Sequence, residues 1–302
     1  MSVRILGAIG LLSIAPAFAA TTINQTRALA ADGQVHIENI KGRIVVRTWS
    51  QPQVRVTGSL GKGAEKLLIE GDGHSLNIEV KYPDHDGGWK LWGGNDNRSE
   101  PSVIEVMVPQ RASLDIDSVS ADIDVQQMAG RKLSVSSVSG AIVITASSPG
   151  EATIENVSGD TSLRITSNRV QVDSVSGDVK LQGGLGGEVK LESVSGNLSL
   201  VAPALSLLDV NTVSGDAQLR AALKPAGAIK VETLSGVLSL SLPANTSAKL
   251  HAETFSGDIS SPAAKVQREE HGPGKSLDTT YGSGQGQIRL ESFSGDVRVR
   301  LY

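Results

Sequence analysis

A four-residue phrase, Val-Ser-Gly-Asp or a close variant, recurs through most of the chain at a nearly constant interval. Successive copies are separated by 19, 19, 18, 19, 19, 21, 21 and 38 residues, and the last interval is twice nineteen. A period of this length is one turn of a solenoid and is too short to fold as a separate domain. The third position of the phrase falls on Ala121, Gly140, Gly159, Gly177, Gly196, Gly215, Gly236, Gly257 and Gly295.

Aliphatic residues recur at five positions of the repeat, numbered from the glycine as position 0. They are positions −7, −5, −2, +2 and +4, which in the copy at Gly140 are Leu133, Val135, Val138, Ile142 and Ile144. Positions −2, +2 and +4 share one strand parity, whereas −7 and −5 share the other. If all five face the core, the chain must turn a corner at −4 and −3, so each turn is predicted to contain two strands. The same template fits Gly42, so the solenoid is predicted to begin before the regular array.

A hairpin turn at Ser-Gly-Asp is the competing interpretation of the phrase. Loops of two residues would place an apolar side chain opposite Asp or Ser. A loop of three residues would pair the apolar residue at +4 with the mostly charged residue at −4. Because every register mixes the two faces, the pattern favours stacked parallel strands. The predicted fold is therefore all-β, a parallel β-helix-like solenoid with turns of about 19 residues and a less regular N-terminal region.

The first residues have the pattern of a secretory signal. Arg4 precedes an apolar run from Ile5 to Ala19 that is too short to span a bilayer and ends in the small-x-small site Ala17-Phe18-Ala19. We expect a signal peptide over residues 1–19, an N-terminal β region over 20–112 and regular repeats over 113–302. The exported protein is expected in the periplasm or at the cell surface and is not expected to span the membrane. The chain has no cysteine, so neither disulfides nor lipid attachment through cysteine can form.

Between the Gly42 turn and the regular array lie four less regular stretches. Residues 53–57, 76–80 and 103–108 alternate as strands do, and 61–70 is predicted to be a short helix or a turn.

Two segments interrupt the repeat and are predicted to leave the side of the rod as loops. The first, 82–101, contains Trp89 and Trp92, and the second, about 260–287, contains Tyr281. Loops of solenoids often carry function, so these three aromatic residues are the candidate ligand contacts. The alternative for the tryptophans is that they cover an end or a flank of the solenoid.

Two columns of acidic residues are predicted on the outer surface, at positions −4 and +1. Stacked carboxylates about 5 Å apart repel one another unless they are solvated or bridged by a cation. One hypothesis is that calcium binds along this face, and the alternative is a plainly solvated face. No cofactor is expected. The formal net charge of −4 argues against nucleic acid and anionic lipid as partners.

The sequence does not favour an enzyme. Carbohydrate hydrolysis or elimination, which parallel β-helices often host, needs paired carboxylates or a base with a cation beside stacking aromatics. Here the carboxylates repeat uniformly, and no repeat gathers an acid, a base and an aromatic residue. The run Asp84-His85-Asp86 would need distant residues to complete a metal site. No nucleophile elbow or phosphate-binding loop motif occurs.

Three sequence features resemble a large bacterial family. They are the Val-Ser-Gly-Asp units from Ala121 onward, the opening Asn39-Ile40-Lys41-Gly42, and the Tyr-Gly-x-Gly stretch at 281–284. The family comprises exported β-strand-repeat proteins described as putative adhesins. The resemblance implies a parallel β-helix-like fold and an envelope location, and it implies no catalytic residue or ligand. We expect a binding or adhesin-like module whose partner is an envelope or cell-surface protein or glycan. A structural or envelope-stress accessory protein is the alternative.

Overall fold

The computed structural model describes residues 21–83, 99–262, 265–268, 270 and 272–302. The predicted signal segment, Asp84-His85-Asp86, Trp89 and Trp92 lie outside the described residues. The regular elements of the described part are β1 (Thr21–Ala28), β2 (Gln34–Trp49), β3 (Gln53–Leu60), β4 (Lys66–Gly71), β5 (Ser75–Lys81), β6 (Ser102–Pro109), β7 (Ser113–Gln126), β8 (Lys132–Ser139), β9 (Ile142–Ser147), β10 (Glu151–Ser158), β11 (Thr161–Ile165), β12 (Ser167–Ser176), β13 (Val179–Gln182), β14 (Leu185–Ser195), β15 (Leu198–Ser214), β16 (Ala217–Ser235), β17 (Leu238–Leu242), β18 (Ala248–Ser256), β19 (Ile259–Ser260), β20 (Gln267–Arg268), β21 (Lys275–Tyr281), β22 (Gly286–Ser294) and β23 (Val297–Leu301).

Consecutive turns of the regular array stack as parallel strands, as the repeat predicts. The first strand of each turn pairs with its equivalents above and below, so that β10 lies between β8 and β12 with Ile154 opposite Val135 and Val172. The second strands stack in the same way, with β11 between β9 and β13. The hairpin interpretation is excluded because these neighbours run parallel.

The core is a continuous stack of aliphatic side chains contributed by both strands of every turn. In the Gly140 turn, Leu133, Val135, Ile142 and Ile144 are fully buried, and the equivalent residues of the other turns are buried as well. Positions −7, −5, +2 and +4 therefore face inward, as predicted. A single turn buries too little apolar surface to offset the loss of chain entropy, so neighbouring turns stabilise one another.

The prediction that position −2 faces the core was wrong. Val138 is 50% exposed, whereas Ser137 at position −3 is only 5% exposed. The first strand keeps its alternation through −7, −5 and −3, so −3 points inward and −2 points outward. The corner predicted at −4 and −3 lies instead at the glycine.

The repeated glycine turns the chain in a conformation that other residues rarely adopt. Gly159 has a φ of 119°, and a Cβ added to it would lie 2.4 Å from the carbonyl oxygen of Gly140 in the preceding turn. Backbone conformation and close stacking of the turns thus both require glycine here, and the same two features recur at Gly140, Gly177, Gly196, Gly215 and Gly236.

Antiparallel strands cover the N-terminal end of the solenoid. On the side away from β7, β2 pairs in parallel with β5 and β6. Strand β4 then pairs antiparallel with β5, and β3 pairs antiparallel with β6. Strands predicted at 53–57, 76–80 and 103–108 are confirmed. Within 61–70 the turn at Gly61–Ala64 is present, but a strand, β4, follows it in place of a helix. Pairing with β5 satisfies its backbone groups, and Leu67 is buried in the core.

The C-terminal turns do not stack in chain order. Strand β22 lies between β16 and β18, so the last turn of the chain is inserted ahead of the turn that precedes it. Strand β21 pairs antiparallel with the outer edge of β18, and β20 pairs with β21. The segment at 260–287 was predicted to leave the side of the rod. Its strands cover the end instead, where they pair with the otherwise open edge of β18.

The part of the chain that the structure describes contains no helix long and apolar enough to cross a membrane.

Candidate functional site

A continuous groove follows the stack of turns and has a volume of about 1280 Å³. Along one side runs an apolar column formed by position −2 of ten turns, whose side chains are 41–55% exposed. In spatial order the apolar column is Ile40, Val119, Val138, Val157, Val175, Val194, Val213, Leu234, Phe293 and Phe255.

The other side of the groove is an acidic column formed by position −4. Because side chains two residues apart on a strand point to the same face, −4 and −2 both face outward, while the small polar residue at −3 points inward. Adjacent turns are about 4.8 Å apart, so ten turns give each column a length of about 43 Å. In spatial order the acidic column is Glu38, Asp117, Ser136, Glu155, Asp173, Glu192, Asn211, Glu232, Glu291 and Glu253.

The acidic column is neutralised unevenly along its length. In the C-terminal half, Lys190 lies 2.7 Å from Glu192, Lys230 lies 2.7 Å from Glu232, and Arg289 pairs with Glu291. In the N-terminal half, the described residues provide no lysine or arginine ion pair to Glu38, Asp117, Glu155 or Asp173. The groove is therefore most negative toward its N-terminal end.

The apolar column also changes along its length. The turns from Val119 to Val213 present valine, whereas the last three present Leu234, Phe293 and Phe255. The two phenylalanine rings stack with centroids 5.1 Å apart. The groove thus changes from a half lined mainly by valine to a half with larger apolar residues, in which Glu192, Glu232 and Glu291 are paired with lysine or arginine.

The aspartates at position +1 lie outside the groove and bind backbone. The Asp160 carboxylate accepts a hydrogen bond from the Asp178 N–H at 3.0 Å, and the Asp178 carboxylate accepts one from the Asn197 N–H at 2.9 Å. Asn197 continues the series by accepting from the Asp216 N–H at 3.2 Å. This ladder gives the +1 column a structural role that needs no cation.

A group that sequence reasoning missed brings His36 close to two aspartates. Its Nδ1 lies 3.6 Å from a carboxylate oxygen of Asp115, and its Nε2 lies 3.7 Å from one of Asp117. One potential metal-ligand atom from each of the three residues lies within 4.8 Å of the other two. These residues are far apart in the chain but adjacent in space, because His36 pairs with Asp115 across β2 and β7. Aligning the Gly42 and Ala121 repeats could have revealed them. The geometry suits ion pairing on the outer surface.

His251 joins the end-covering strand β21 to β18. Its Nδ1 lies 2.8 Å from Asp278 and its Nε2 lies 3.2 Å from Glu253. The hydrogen bond to Asp278, supported by that to Glu253, raises the pKa of His251 above its usual value despite partial burial. Both ring nitrogens are engaged by carboxylates, so neither is free to act as a general base.

A smaller concavity of about 410 Å³ lies on the outer face of the second strands, and Arg220, Arg298 and Arg300 contribute to its lining. The Arg220 guanidinium lies 3.9 Å from the centre of the Tyr302 ring, and Arg298 pairs with Asp296 at 2.9 Å. Two of its three cations therefore already have partners within the chain.

The aromatic residues selected from the sequence do not line the groove in the described structure. Trp89 and Trp92 are outside the described residues. Tyr281 is only 7% exposed in β21, and its hydroxyl lies 2.8 Å from the Ser261 hydroxyl. The groove itself was missed because position −2 was assigned to the core. The signal that could have found it is the small polar residue at −3, which continues the inward parity of −7 and −5.

Residues 33–300 match the model of a protein family described as Toastrack DUF4097. Among solved structures, a putative adhesin from Bacteroides fragilis NCTC 9343 is 11% identical, with 94% of this chain and 98% of that chain covered and a TM-score of 0.44. A putative adhesin from Parabacteroides distasonis ATCC 8503 is 10% identical, with coverages of 94% and 98% and a TM-score of 0.34. A putative lipid binding protein from the same strain is 12% identical, with coverages of 93% and 96% and a TM-score of 0.35.

No curated protein sequence matches the chain. The family match agrees with the resemblance drawn from the repeat phrase.

Proposed function

This chain belongs to the Toastrack DUF4097 family, and we propose that it is a non-enzymatic, exported envelope protein that binds an elongated partner along its groove. The partner is an envelope or cell-surface molecule, and the role is adhesin-like. Export is proposed from the signal-like segment at residues 1–19.

The observation that carries the proposal is the apolar column. Single exposed valines are common on soluble proteins, but contiguous exposed apolar patches larger than a few hundred Å² are uncommon and mark interaction sites. Here ten consecutive turns expose an apolar side chain at the same position, beside a column of carboxylates. Such a surface combines apolar contact area with a charge pattern that can select a partner.

The groove supports binding more than catalysis. Its carboxylates repeat from turn to turn, and each of the two histidines beside them in the described structure, His36 and His251, lies against two carboxylates. The histidine nearest to a catalytic arrangement, His251, has both ring nitrogens occupied by Asp278 and Glu253. These features support the non-enzymatic role.

The test replaces four groove valines by threonine, which keeps the branched shape and β-propensity but adds a hydroxyl. The variant is V138T/V157T/V175T/V194T. The control is V103T/V143T/V201T, in which three exposed valines outside the groove are changed in the same way. Cells that lack the protein are complemented with each form, and attachment to a host or abiotic surface is measured at equal protein levels.

We expect the groove variant to attach no better than cells lacking the protein and the control to attach normally. Equal attachment by both variants and the wild type would overturn the proposal. Normal attachment of cells lacking the protein, together with an envelope-stress phenotype, would favour the accessory role instead.

A further inference from the structure

We propose that the occupant of the groove is a cationic amphipathic α-helix of a partner polypeptide, lying along the solenoid axis. This inference rests on the proposed function and names the chemistry of its partner. Four features of the groove support it, and they concern the backbone, the spacing, the flanks and the lengthwise gradient of charge.

The backbone of the groove cannot add a strand. The strands cross the groove, and each is already paired on both sides, as β10 is with β8 and β12. An extended peptide lying in the groove would therefore leave its own N–H and C=O groups without backbone partners. A helix satisfies its backbone internally and needs only side-chain contacts.

The spacing of the apolar column is close to that of a helix face. One helical turn advances about 5.4 Å, and one solenoid turn advances about 4.8 Å. Along the length of the groove, an apolar stripe with one residue per helical turn therefore presents about eight residues to the ten side chains of the apolar column. A helix of about 29 residues would match a groove of about 43 Å.

The residues on the two sides of the apolar column differ in charge, so the two sides of the apolar stripe of the helix must differ in charge as well. Position −4 on one side is acidic. Position −1, next to the apolar column on the other side and just outside the groove lining, is serine in every turn but the first, where it is Lys41. The complementary helix has an apolar stripe with lysine or arginine along one flank and small polar residues along the other. This is the helix-in-groove mode with an added electrostatic constraint.

The charge gradient sets the direction of the ligand. Glu38, Glu155 and Asp173 lack lysine and arginine partners among the described residues, whereas Glu192, Glu232 and Glu291 have them. The basic residues of the helix should therefore concentrate over the N-terminal half of the groove. Its larger apolar residues should lie near Leu234, Phe293 and Phe255, where the stacked rings offer the widest contact.

The probes are three synthetic 29-residue peptides labelled with a fluorophore. One has a leucine stripe flanked on one side by lysine, the second has the same composition in scrambled order, and the third has glutamate in place of lysine. Binding to the full-length protein is measured by fluorescence anisotropy at 50 and 200 mM salt. A panel of neutral and anionic oligosaccharides is measured alongside.

The protein variants separate charge from apolar contact. E38K/E155K reverses two carboxylates of the acidic column, and E70K/E105K makes the same charge change at exposed sites outside the groove. E38Q/E155Q serves as a milder second variant if the reversal lowers the melting temperature. V138T/V157T/V175T/V194T tests the apolar column.

We expect the lysine peptide to bind the wild type and E70K/E105K equally, and at least tenfold more weakly to E38K/E155K and to the threonine variant. Affinity should fall between 50 and 200 mM salt, and the scrambled and glutamate peptides should bind at least tenfold more weakly. Equal binding of the scrambled peptide, or equal loss in E70K/E105K, would overturn the inference. If an oligosaccharide binds the groove and the lysine peptide does not, the helix is wrong while the binding function stands.

Discussion

The rings of Phe255 and Phe293 stack nearly parallel, with centroids 5.1 Å apart and planes inclined by 12°. They belong to the last two repeats of the chain, whose order in space is reversed because the Phe293 turn lies between the turns of Leu234 and Phe255. The stack therefore links the last turn of the chain, which contains β22, to β18, whose outer edge β21 covers. It also forms the largest apolar surface of the groove.

A double-mutant cycle measures this link. Phe255→Ala, Phe293→Ala and the double variant should show a coupling free energy of about 0.5–1.5 kcal/mol, toward the lower end because both rings are half-exposed. The measurement is urea unfolding followed by circular dichroism. A control cycle pairs Phe255→Ala with Val138→Ala, several turns away. Additivity in the first cycle within about 0.3 kcal/mol would contradict a stabilising stack.

Replacing a repeat glycine should distort the turn. Gly177 has a φ of 123°, and an added Cβ would lie 2.3 Å from the Gly159 carbonyl oxygen, so Gly177→Ala meets both an unfavourable conformation and a backbone clash. The conformational part alone costs about 1–3 kcal/mol. Thermal unfolding should show a clear fall in melting temperature.

The matched control for this change is Gly73→Ala, because a Cβ at Gly73 has open space around it. Its melting temperature should stay close to that of the wild type. If the two alanine variants lose stability equally, the glycine column does not owe its role to the close stacking of turns.

The architecture could be predicted from the sequence because its physical signal repeats. Positions −7, −5, +2 and +4 alternate in the same way in every turn, and that regularity identified parallel stacking and most of the core. The groove could not be found in the same way, because hydrophobicity alone places Val138 inside and Ser137 outside. The structure reverses them because the strand parity continues to −3, where the Ser137 hydroxyl donates to the Ser139 carbonyl at 3.2 Å.

The order of the last turns was also beyond the sequence pattern. The edges of successive turns are nearly equivalent, so the template of β22 fits equally well beside β16 or after β18. Tertiary contacts at the end of the solenoid select the observed order of the turns. Strand β21 covers the outer edge of β18, and β22 then fills the place between β16 and β18.

The contact between β18 and β21 should depend on pH through His251. Its pKa is raised in the folded protein, first by the hydrogen bond to Asp278 and then by that to Glu253. A raised folded-state pKa means that the stabilisation is fully present below about pH 6.5, the pKa in the unfolded chain, and is lost as pH rises through the higher folded-state value. The end of the solenoid is therefore expected to loosen on the alkaline side of pH 6.5.

Hydrogen exchange of the β21 amides between pH 5.5 and 8.5 checks this expectation, after correction for the intrinsic pH dependence of exchange. Protection in the wild type should fall with rising pH, whereas His251→Gln should show a flat, lower protection over the same range. A wild-type profile as flat as that of the variant would contradict the role of His251.

The aspartate ladder should depend on a hydrogen-bond acceptor and not on a cation. Asp160→Ala removes the acceptor for the Asp178 N–H, which should cost about 0.5–1.5 kcal/mol, at the lower end because water can reach the exposed site. Asp160→Asn should retain most of the stability, since Asn197 already serves as the acceptor for the Asp216 N–H. Asparagine also removes one charge from a column of like charges.

Unfolding of these two variants, with added calcium and with a chelator, separates the two accounts of this face. The ladder predicts that the Asp160→Ala variant is less stable than the Asp160→Asn variant. It also predicts that the wild type has the same melting temperature in both solutions. If calcium bridged the aspartates, the wild type would be more stable in calcium than in chelator. Asp160→Asn and Asp160→Ala would then both lose this difference in stability between the two solutions.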